Sequence, residues 1–588
     1  GYFMGLETRL MPGLRLMEGF KEEIRSVEGF NSSPKTYVLD VAVLSETTKD
    51  EWLKEAKYIQ DNLTSEVIDR AFLNFPEEVR DGTVVELKRV LLSRIKDIQN
   101  TAKEYYKVLN RHAVVVGTDK DDWFEIENLN KQELIVRVYR NIDGEKKKKF
   151  FEKKFHHNDT KEVWVYGLDD EDRFEVKGNY KSKIKVRLIG GQNNDQYDVG
   201  EGGNTIIYDY KSKKNRLKDV SKAKVKLTDE YQVNTYQPLK IRNSVNQILP
   251  LVGFNPDAGL KIGFTDTYTY NGFRQNPFTQ QHSLNAGYYF ATSGFEMGYK
   301  GEFANTFGKA NLEIAAQFTS PNFAINFFGF GNETENLDDT LELDYNRVRL
   351  GIIKLVPSLV WRGDLGSKIR TGISYEAIEV EETDNRFINT FYQMNGEETQ
   401  KRFVGLDFEY DYENSDNAAF PTLGMATSLH VGYKTETGGE GSFGYIIPSL
   451  SFDYKLVSSG KLVLATKWKA HFNIGDGFDF YQAASIGGVD GLRGFRNERF
   501  TGKKSFYQNT DLRLSLDKVR TGILPTAFGL YGGFDYGRVW NPNEDSNIWH
   551  ASYGGGFFLD ASGIASIRAA VFNSDDGIRI SFGLGFGF

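Results

Sequence analysis

Residues 577–588 read GIRISFGLGFGF, and this stretch decides the fold class. Large apolar side chains occupy every second position, and small or polar residues occupy the positions between them. The apolar face consists of Ile578, Ile580, Phe582, Leu584, Phe586 and Phe588, and the other face of Gly577, Arg579, Ser581, Gly583, Gly585 and Gly587. A period of two residues predicts a β-strand with one apolar and one polar face.

The same alternation recurs in segments closer to the N-terminus. Leu512, Leu514 and Leu516 alternate with Asp511, Arg513, Ser515 and Asp517; Leu462, Leu464, Trp468 and Phe472 with Lys461, Lys467, Lys469 and His471; and Ile446, Leu450, Phe452 and Tyr454 with Ser449, Ser451, Asp453 and Lys455. Strands of a transmembrane barrel turn an apolar face to lipid and a polar face to the lumen. The pattern therefore predicts a mainly β protein with an antiparallel transmembrane β-barrel over residues 259–588.

Composition agrees with a barrel and excludes other classes. Mean hydropathy is -0.47, and the chain has no apolar run of the length that a transmembrane helix needs. Its 59 glycines and 14% aromatic residues suit close strand packing and interfacial aromatic girdles. A net charge of -8 argues against nucleic acid as a partner. The absence of cysteine excludes disulfides and cysteine-ligated metals.

The connections between strands predict the strand number. Barrels of this class alternate short periplasmic turns with longer outer loops. Predicted turns fall at 292–294, 320–322, 363–367, 414–424, 458–460, 517–525 and 560–563, and predicted loops at 271–280, 304–309, 334–344, 382–401, 437–444, 475–505, 541–548 and 573–576. Seven turns and eight loops give sixteen strands with both termini on the periplasmic side.

The longest predicted loop contains GGVDGLRGF at 487–495. Leu492, Arg493, Gly494 and Phe495 resemble the signature of the Omp85 superfamily, in which an aliphatic residue precedes Arg-Gly and Phe or Tyr follows. The family carries this motif between strands eleven and twelve of sixteen, where the predicted order also places it. The ending Ser581, Gly583, Phe586 and Phe588 resembles the C-terminal recognition signal of bacterial outer-membrane barrels.

The resemblance implies that this loop folds into the lumen and that its arginine binds carboxylates on the next two strands. Asp511 and Asp535 stand at lumen-facing positions of those strands. A guanidinium presents a planar fork of donors that suits two such acceptors. Arg493, Asp511 and Asp535 are therefore the predicted lumen contact.

The residues before the barrel predict two further regions. Helical spacing at about 50–62, 64–73 and 84–109 indicates a helical periplasmic subdomain over 1–110, and short strands indicate a β-rich periplasmic domain over 111–250. Residues 166–176 and 189–199 align at a 23-residue offset. The spacing is similar to calcium-binding glycine/aspartate repeats, but two imperfect copies favour stacked strands joined by structural turns.

Omp85 proteins usually carry POTRA domains of β-α-α-β-β order, which this region does not match. It resembles instead the stretch before the barrel in long fused Omp85 proteins, some of which have a metallophosphoesterase-type domain upstream. The Asp-x-His and Gly-Asn-His-Asp motifs of that enzyme are absent from the sequence. No nucleophile with a paired base, P-loop or dinucleotide fingerprint is present either. We expect no catalysis, no cofactor and no metal.

The resemblance implies a role in assembling or translocating outer-membrane protein, or lipid, through a seam between the first and last strands. Outer-membrane lipids, other assembly subunits and unfolded barrel clients are the implied partners, and the outer membrane the implied location. An alternative hypothesis is a structural anchor or accessory subunit of a larger outer-membrane complex. A diffusive pore is a third hypothesis, which a folded-in loop disfavours.

Overall fold

The computed structural model describes residues 20–24, 26–27, 34–417, 420–488, 491–520, 525–542, 544–561 and 565–586. Two compact units are present: an N-terminal unit that extends to Val245 and includes Asn271–Phe273, and a barrel unit that holds Asn246–Tyr270 and the chain from Arg274 onward. In the ranges described, no helix is both long and apolar enough to cross a membrane.

The described residues of the N-terminal unit include five helices before its first strand: α1 Pro34–Leu44, α2 Lys49–Asn62, α3 Ser65–Phe72, α4 Gly82–Lys96 and α5 Ile98–Asn110. Thr48 caps α2 in a reciprocal capping box with Glu51, which satisfies backbone donors that the helix itself leaves unpaired. The stretch predicted as one helix over 84–109 is divided between α4 and α5 at Asp97, which is the C-cap of α4.

Eleven strands follow and form two sheets. They are β1 His112–Val116, β2 Asp122–Asn128, β3 Glu133–Ile142, β4 Glu145–His156, β5 Glu162–Leu168, β6 Arg173–Lys177, β7 Lys185–Gly191, β8 Gln196–Asp198, β9 Thr205–Asp209, β10 Arg216–Asp219 and β11 Ala223–Leu227. One sheet has the order β1-β5-β7-β9-β11 and the other β10-β8-β6-β2-β3-β4. β2, β3 and β4 are consecutive antiparallel strands of one sheet. Elsewhere the chain alternates between the two sheets, and neighbouring strands of each sheet pair in parallel, as in a solenoid.

The 23-residue repeat corresponds to neighbouring turns of this solenoid. Tyr166 is the register partner of Ile189, and Phe174 is the register partner of Tyr197. The prediction of stacked strands is confirmed. Apolar side chains of both sheets, among them Phe124, Val165 and Phe174, form the core between them.

Aspartates stack at the turns of the repeat and explain its acidic character. The backbone amide of Asp122 donates to Asp172, and that of Asp172 donates to Asp195 at 2.9 Å. Burial, together with the neighbouring Asp195 carboxyl, raises the pKa of Asp172 to about 10. Burial and Asp209 raise the pKa of Asp195 to about 8. The aspartates therefore serve as hydrogen-bonding groups of structural turns. Within the described ranges, no group of three or more candidate ligands could hold a metal ion.

A four-residue helix, α6 Tyr231–Asn234, and a 3-10 turn, Pro238–Lys240, lead to the barrel. Its sixteen spanning strands close into one antiparallel sheet. They are β12 Val245–Asn255, β13 Gly259–Tyr270, β14 Gln280–Tyr289, β15 Gly294–Phe307, β16 Ala310–Thr319, β18 Arg347–Arg362, β19 Ser367–Val380, β20 Gln400–Ser415, β21 Gly424–Glu436, β22 Ser442–Lys455, β23 Leu462–Ile474, β26 Lys504–Ser515, β28 Pro525–Trp540, β29 His550–Ala561, β30 Ala565–Ser574 and β31 Gly577–Phe586. The predicted fold class and strand number are confirmed.

Shorter elements lie in the connections. They are β17 Ala324–Asn326, β24 Ala484–Ile486, β25 Phe500–Gly502, β27 Val519–Arg520, the helices α7 Asp338–Leu341 and α8 Phe387–Asn395, and 3-10 turns at Leu343–Asn346 and Phe480–Gln482.

Two errors in the predicted strand order cancel. The barrel begins with β12, so its predicted start at residue 259 was too late. Adjacent apolar residues break the alternation in β12, and Pro250 inside it argues against a strand because proline cannot donate to a strand ladder. Conversely, the turn predicted at 320–322 and the loop predicted at 334–344 implied a spanning strand between them. The chain there forms only β17 and then turns inward, where Phe327 is fully buried.

Because of these two errors, the connections before β18 were predicted at the wrong end of the barrel. In an antiparallel barrel, successive connections alternate between the two ends. Connections 271–279 and 308–309 therefore share an end with the turn at 363–366, whereas 290–293 and 320–346 share the opposite end with the loop 475–503. From β18 to β31 the predicted alternation of ends is as observed.

The two faces of the strands also follow the sequence pattern. Leu464, Leu512 and Leu514 are among the exposed large apolar side chains. The polar face carries ion pairs between strands, such as Lys434 with Glu376 at 2.8 Å and Arg362 with Glu302. Charged lumen side chains thus compensate one another, as the low-dielectric surroundings of a membrane barrel require.

Candidate functional site

The connection between β23 and β26, residues 475–503, is here called the long loop. Within it β24 and β25 pair as a hairpin. Leu492 and Phe495 lie in an apolar cluster with Ile486, Phe500 and the strand residue Val539, and Leu492 is completely buried. The loop is therefore packed against the inner faces of the strands. Residues 489 and 490 lie outside the described part.

Arg493 contacts both aspartates that the sequence singled out. Its Nε donates to Asp535 at 3.0 Å, and its Nη2 donates to Asp535 at 2.6 Å and to Asp511 at 2.7 Å. The backbone amide of Arg493 also donates to Asp535 at 3.0 Å. The guanidinium lies over the ring of Phe572, 4.1 Å from its centroid. One side chain thus joins β26, β28 and β30.

Charge and burial favour a permanent ion cluster at Arg493. Burial opposes its charge, but hydrogen bonds from Asp535 and Asp511 outweigh that effect and raise the pKa of Arg493 above its ordinary value. The Asp535 side chain is fully buried and accepts further hydrogen bonds from Asn509 and Ser552. Arg493 therefore stays protonated and its main acceptor is fixed by neighbours on two other strands.

Two glycines make this contact possible. A Cβ on Gly494 would lie 2.7 Å from the Ser552 Cβ and 2.8 Å from the carbonyl oxygen of Asn573. A Cβ on Gly533 would lie 2.4 Å from an Asp511 carboxylate oxygen and 2.7 Å from Arg493 Nη2. Glycine at these positions lets the loop backbone and the guanidinium approach the strands closely.

Two further arginines of the long loop were missed by the sequence analysis. Arg496 is fully buried and donates to Asp257 at 2.5 Å and to Asp338 at 2.6 Å. Arg499 donates to Asp576 at 2.6 Å and to the Thr334 carbonyl at 2.7 Å. Arginines three residues apart after the Leu-Arg-Gly-Phe motif were the only available signal, because the partners lie far away in the sequence.

The first and last strands meet at what is here called the seam, the pairing of β12 with β31. Two residue pairs are in register, Gly253 with Gly583 and Phe254 with Phe582, in the part of the seam that the structure describes. By contrast, β31 pairs with its other neighbour β30 over ten residues. The barrel is closed, and these two pairs belong to the described part of its closure.

The residues of the predicted C-terminal signal lie on or after β31. Ser581 and Gly583 belong to that strand, with Gly583 in the seam register. Phe586 ends the strand, and Phe588 lies outside the described residues.

A cavity of about 540 Å³ lies inside the barrel beside the seam. Its lining includes Gly253 of β12, Ser581 and Gly583 of β31, and Arg493 and Phe495 of the long loop. The seam and the Arg493 cluster therefore border one internal space.

These features define a sixteen-stranded outer-membrane-type barrel whose long loop is fixed inside the lumen by an arginine. The profile of the Omp85 superfamily domain matches residues 294–588, half of the chain. The chain belongs to the Omp85 superfamily. Its barrel indicates the outer membrane, and members of the superfamily are transporters or assembly factors rather than enzymes. The match does not reach the N-terminal unit, so an upstream metallophosphoesterase-type domain stays an expectation.

Solved structures resemble the chain at low identity. BamA from Haemophilus ducreyi lacking POTRA domains 1-3 is 15% identical with a TM-score of 0.45, covering 58% of this chain and 71% of that one. CdiB from Escherichia coli is 11% identical with a TM-score of 0.40, covering 61% and 69%. CdiB from Acinetobacter baumannii is 14% identical with a TM-score of 0.38, covering 58% and 60%. A search of curated proteins finds no match. Similarity at this level carries no argument about function.

Proposed function

We propose that this barrel assembles or translocates polypeptide at the outer membrane by opening the seam between β12 and β31. The observation that carries the proposal is the cavity that residues of both seam strands border together with a rigidly held Arg493. Family membership supports it, since the superfamily consists of transporters and assembly factors.

The physical basis is the cost of unpaired backbone groups in lipid. Each unsatisfied amide or carbonyl in the hydrocarbon region costs several kcal/mol. In this proposal the junction between β12 and β31 opens while long ladders, such as the twelve-residue ladder between β26 and β28, stay paired. A client strand could then pair with the free edges by β-augmentation.

Arg493 has a positioning role in this proposal. The strands β23, β26 and β28 are here called the wall. Arg493 ties the long loop to two of them, so the lumen beside the cavity keeps its shape while the seam opens. Outer-membrane lipids, unfolded barrel clients and other assembly subunits are the proposed partners. We place the N-terminal unit in the periplasm, because β12 begins at the end of the barrel opposite the long loop.

A reversible lock on the seam tests the proposal. Gly253 and Gly583 are register partners, and directly opposed residues of an antiparallel pair lie within disulfide range. The chain has no native cysteine, so Gly253→Cys with Gly583→Cys forms a single disulfide. In cells that depend on this chain, we expect oxidation to stop delivery of new barrel proteins to the outer membrane and reduction to restore it.

The matched control is a disulfide inside the wall. Thr466 and Thr510 are register partners on β23 and β26, with their hydroxyl oxygens 3.1 Å apart. Thr466→Cys with Thr510→Cys should cross-link without affecting delivery. Undiminished delivery with the seam fully oxidised would overturn the proposed function.

The N-terminal unit favours a second candidate function, a structural anchor or accessory subunit. The unit is a large folded solenoid whose last two strands, β10 and β11, are mostly exposed and carry several lysines and one arginine. Copurification from native membranes tests this candidate. Partners at stoichiometric yield that depend on the solenoid support it, and a chain that purifies alone speaks against it.

A further inference from the structure

The three arginines of the long loop have different partners. Arg493 contacts the wall through Asp511 and Asp535. Arg496 contacts Asp257, which lies in the short connection directly after β12. Arg499 contacts Asp576, which lies in the hairpin directly before β31. The same loop therefore holds chain segments adjoining both strands of the seam.

Asp338 extends this connection to β31 itself. One carboxylate oxygen of Asp338 accepts from Arg496 Nη1 at 2.6 Å, and the other accepts from Arg579 of β31 at 3.3 Å. Through Arg496, Asp257 on the β12 side and Arg579 on the β31 side belong to one ionic network. This network spans the seam, whose described register includes Phe254 with Phe582.

The loop backbone strengthens both attachments. The amide of Asn497 donates to the second oxygen of Asp257 at 2.8 Å. On the other side, the Ser574 hydroxyl at the end of β30 donates to the carbonyl of Gly494 at 2.7 Å. Arg347 also donates to the Asp257 carbonyl at 2.6 Å. The β12–β13 turn and the β30–β31 hairpin are thus each held by several contacts.

Burial makes Arg496 the central member. It is fully buried, and its remaining donors reach Asn326 at 2.9 Å and the Leu343 carbonyl at 3.1 Å. A buried guanidinium in ion pairs with two carboxylates fixes geometry strongly, because removing either side leaves a buried charge unpaired.

We infer that Arg496 and Arg499 form an ionic clasp that holds the seam closed, and that seam opening requires its release. This inference rests on the proposed function and adds a mechanism that regulates opening of the same seam. Arg496 and Arg499 act here as positioning residues, and the long loop both supports the wall and closes the seam.

Spin-label distances in the full chain test the clasp without a client. Cysteines replacing Phe254 and Ile580, both exposed and on opposite sides of the seam, carry the labels. In the parent barrel we expect one short distance. Arg496→Gln and Arg499→Gln should each raise the long-distance fraction several-fold, and the double variant should raise it further.

Two controls separate clasp release from general loosening. Lys503→Gln removes an ion pair with Asp476 that stays within the long loop, and it should leave the seam distance unchanged. Labels at Leu464 and Leu514, on β23 and β26 of the wall, should report one distance in every variant. Folding of each barrel is checked by its heat-modifiable migration. Should Arg496→Gln fold poorly, Asp576→Asn tests the Arg499 half of the clasp.

An unchanged seam distance in both folded arginine variants overturns the clasp, as does equal broadening at the wall. Failure of the proposed function has a different signature. If the variants open the seam but the disulfide lock does not affect delivery, the clasp stands and the proposed function falls. If the lock stops delivery but the variants leave the seam closed, the function stands and the clasp falls.

Discussion

The seam and the wall are built from the same kind of strand, yet they are held together differently. In the wall, β23 and β26 pair over eleven residues and β26 and β28 over twelve. In the described part of the seam two pairs are in register, and side chains of the long loop also bind the connections that adjoin both strands. Backbone ladders give the wall continuous cohesion, whereas a few ionic contacts can be released together. The comparison indicates that different strand pairs of one closed barrel can be held together by different kinds of contact.

The largest effect is expected from replacing Arg493, which ties the long loop to the wall. Arg493→Ala leaves the buried carboxylate of Asp535 without its cation, and breaking a buried pair in this way costs about 3–5 kcal/mol. We expect the free energy of unfolding in lipid or detergent, measured by denaturant titration, to fall by that amount. Arg493→Lys keeps the charge but loses the fork geometry, so its loss should be smaller. A change below about 1 kcal/mol for Arg493→Ala would contradict the cohesion assigned to this cluster.

A matched pair of glycine substitutions sharpens the comparison. Gly533→Ala places a Cβ 2.4 Å from Asp511 in the wall, whereas a Cβ on Gly583 at the seam meets no atom within 4 Å. Overpacking costs about 1–3 kcal/mol, and unopposed surface changes stay within about 0.5 kcal/mol. Denaturant titration should therefore show a loss for Gly533→Ala and almost none for Gly583→Ala. Equal losses would mean that the seam is packed as tightly as the wall.

Wherever strict alternation holds, the sequence predicts the structure well. Alternation at 577–588 predicted β31, and the same period placed Asp511 and Asp535 on the face that Arg493 contacts. Period two fixes which face a side chain takes, so the lumen partners of Arg493 followed from strand position and from the family resemblance.

Prediction failed where tertiary contacts override the local pattern. Adjacent apolar residues and Pro250 concealed β12, which is one of the two strands of the seam. The segment after β17 has an aromatic-rich strand pattern, but Phe327 instead packs with Phe391 and Phe480 from other connections. Arg496 and Asp257 are 239 residues apart, and nothing local in the sequence marks them as partners.

Hydrogen exchange tests the comparison across whole strands. Amides of β31 that face β12 should exchange about ten-fold faster than those of β26, because the proposed opening of the seam exposes them, and one factor of ten corresponds to about 1.4 kcal/mol. Mass spectrometry of peptides covering β31 and β26 measures both in one experiment. The peptide covering β30 serves as the control, since β30 pairs over nine residues with β29 and over ten with β31. Equal protection of β31 and β26 would remove the distinction between seam and wall.

A pH dependence is expected for the long loop. Burial, with a contribution from Asp257, raises the pKa of Glu498 to about 7, although the Asn326 amide and Arg496 act in the opposite direction. Because the folded-state pKa lies above the ordinary value, the folded loop retains a proton that the unfolded chain has lost. The stability of the loop therefore falls as pH rises from about 4.5 to about 7 and changes little above that range.

Exchange rates of peptides from the long loop, corrected for intrinsic rates, should accordingly rise between pH 5 and pH 7.5. Glu498→Gln has no titrating proton at this position and should give a flat profile, while the wall peptides stay flat in both proteins. A dependence that persists in Glu498→Gln would assign the titration to another group. A flat profile in the parent would mean that Glu498 stays ionised beside Asp257, and that Arg496 compensates both carboxylates without help from a proton.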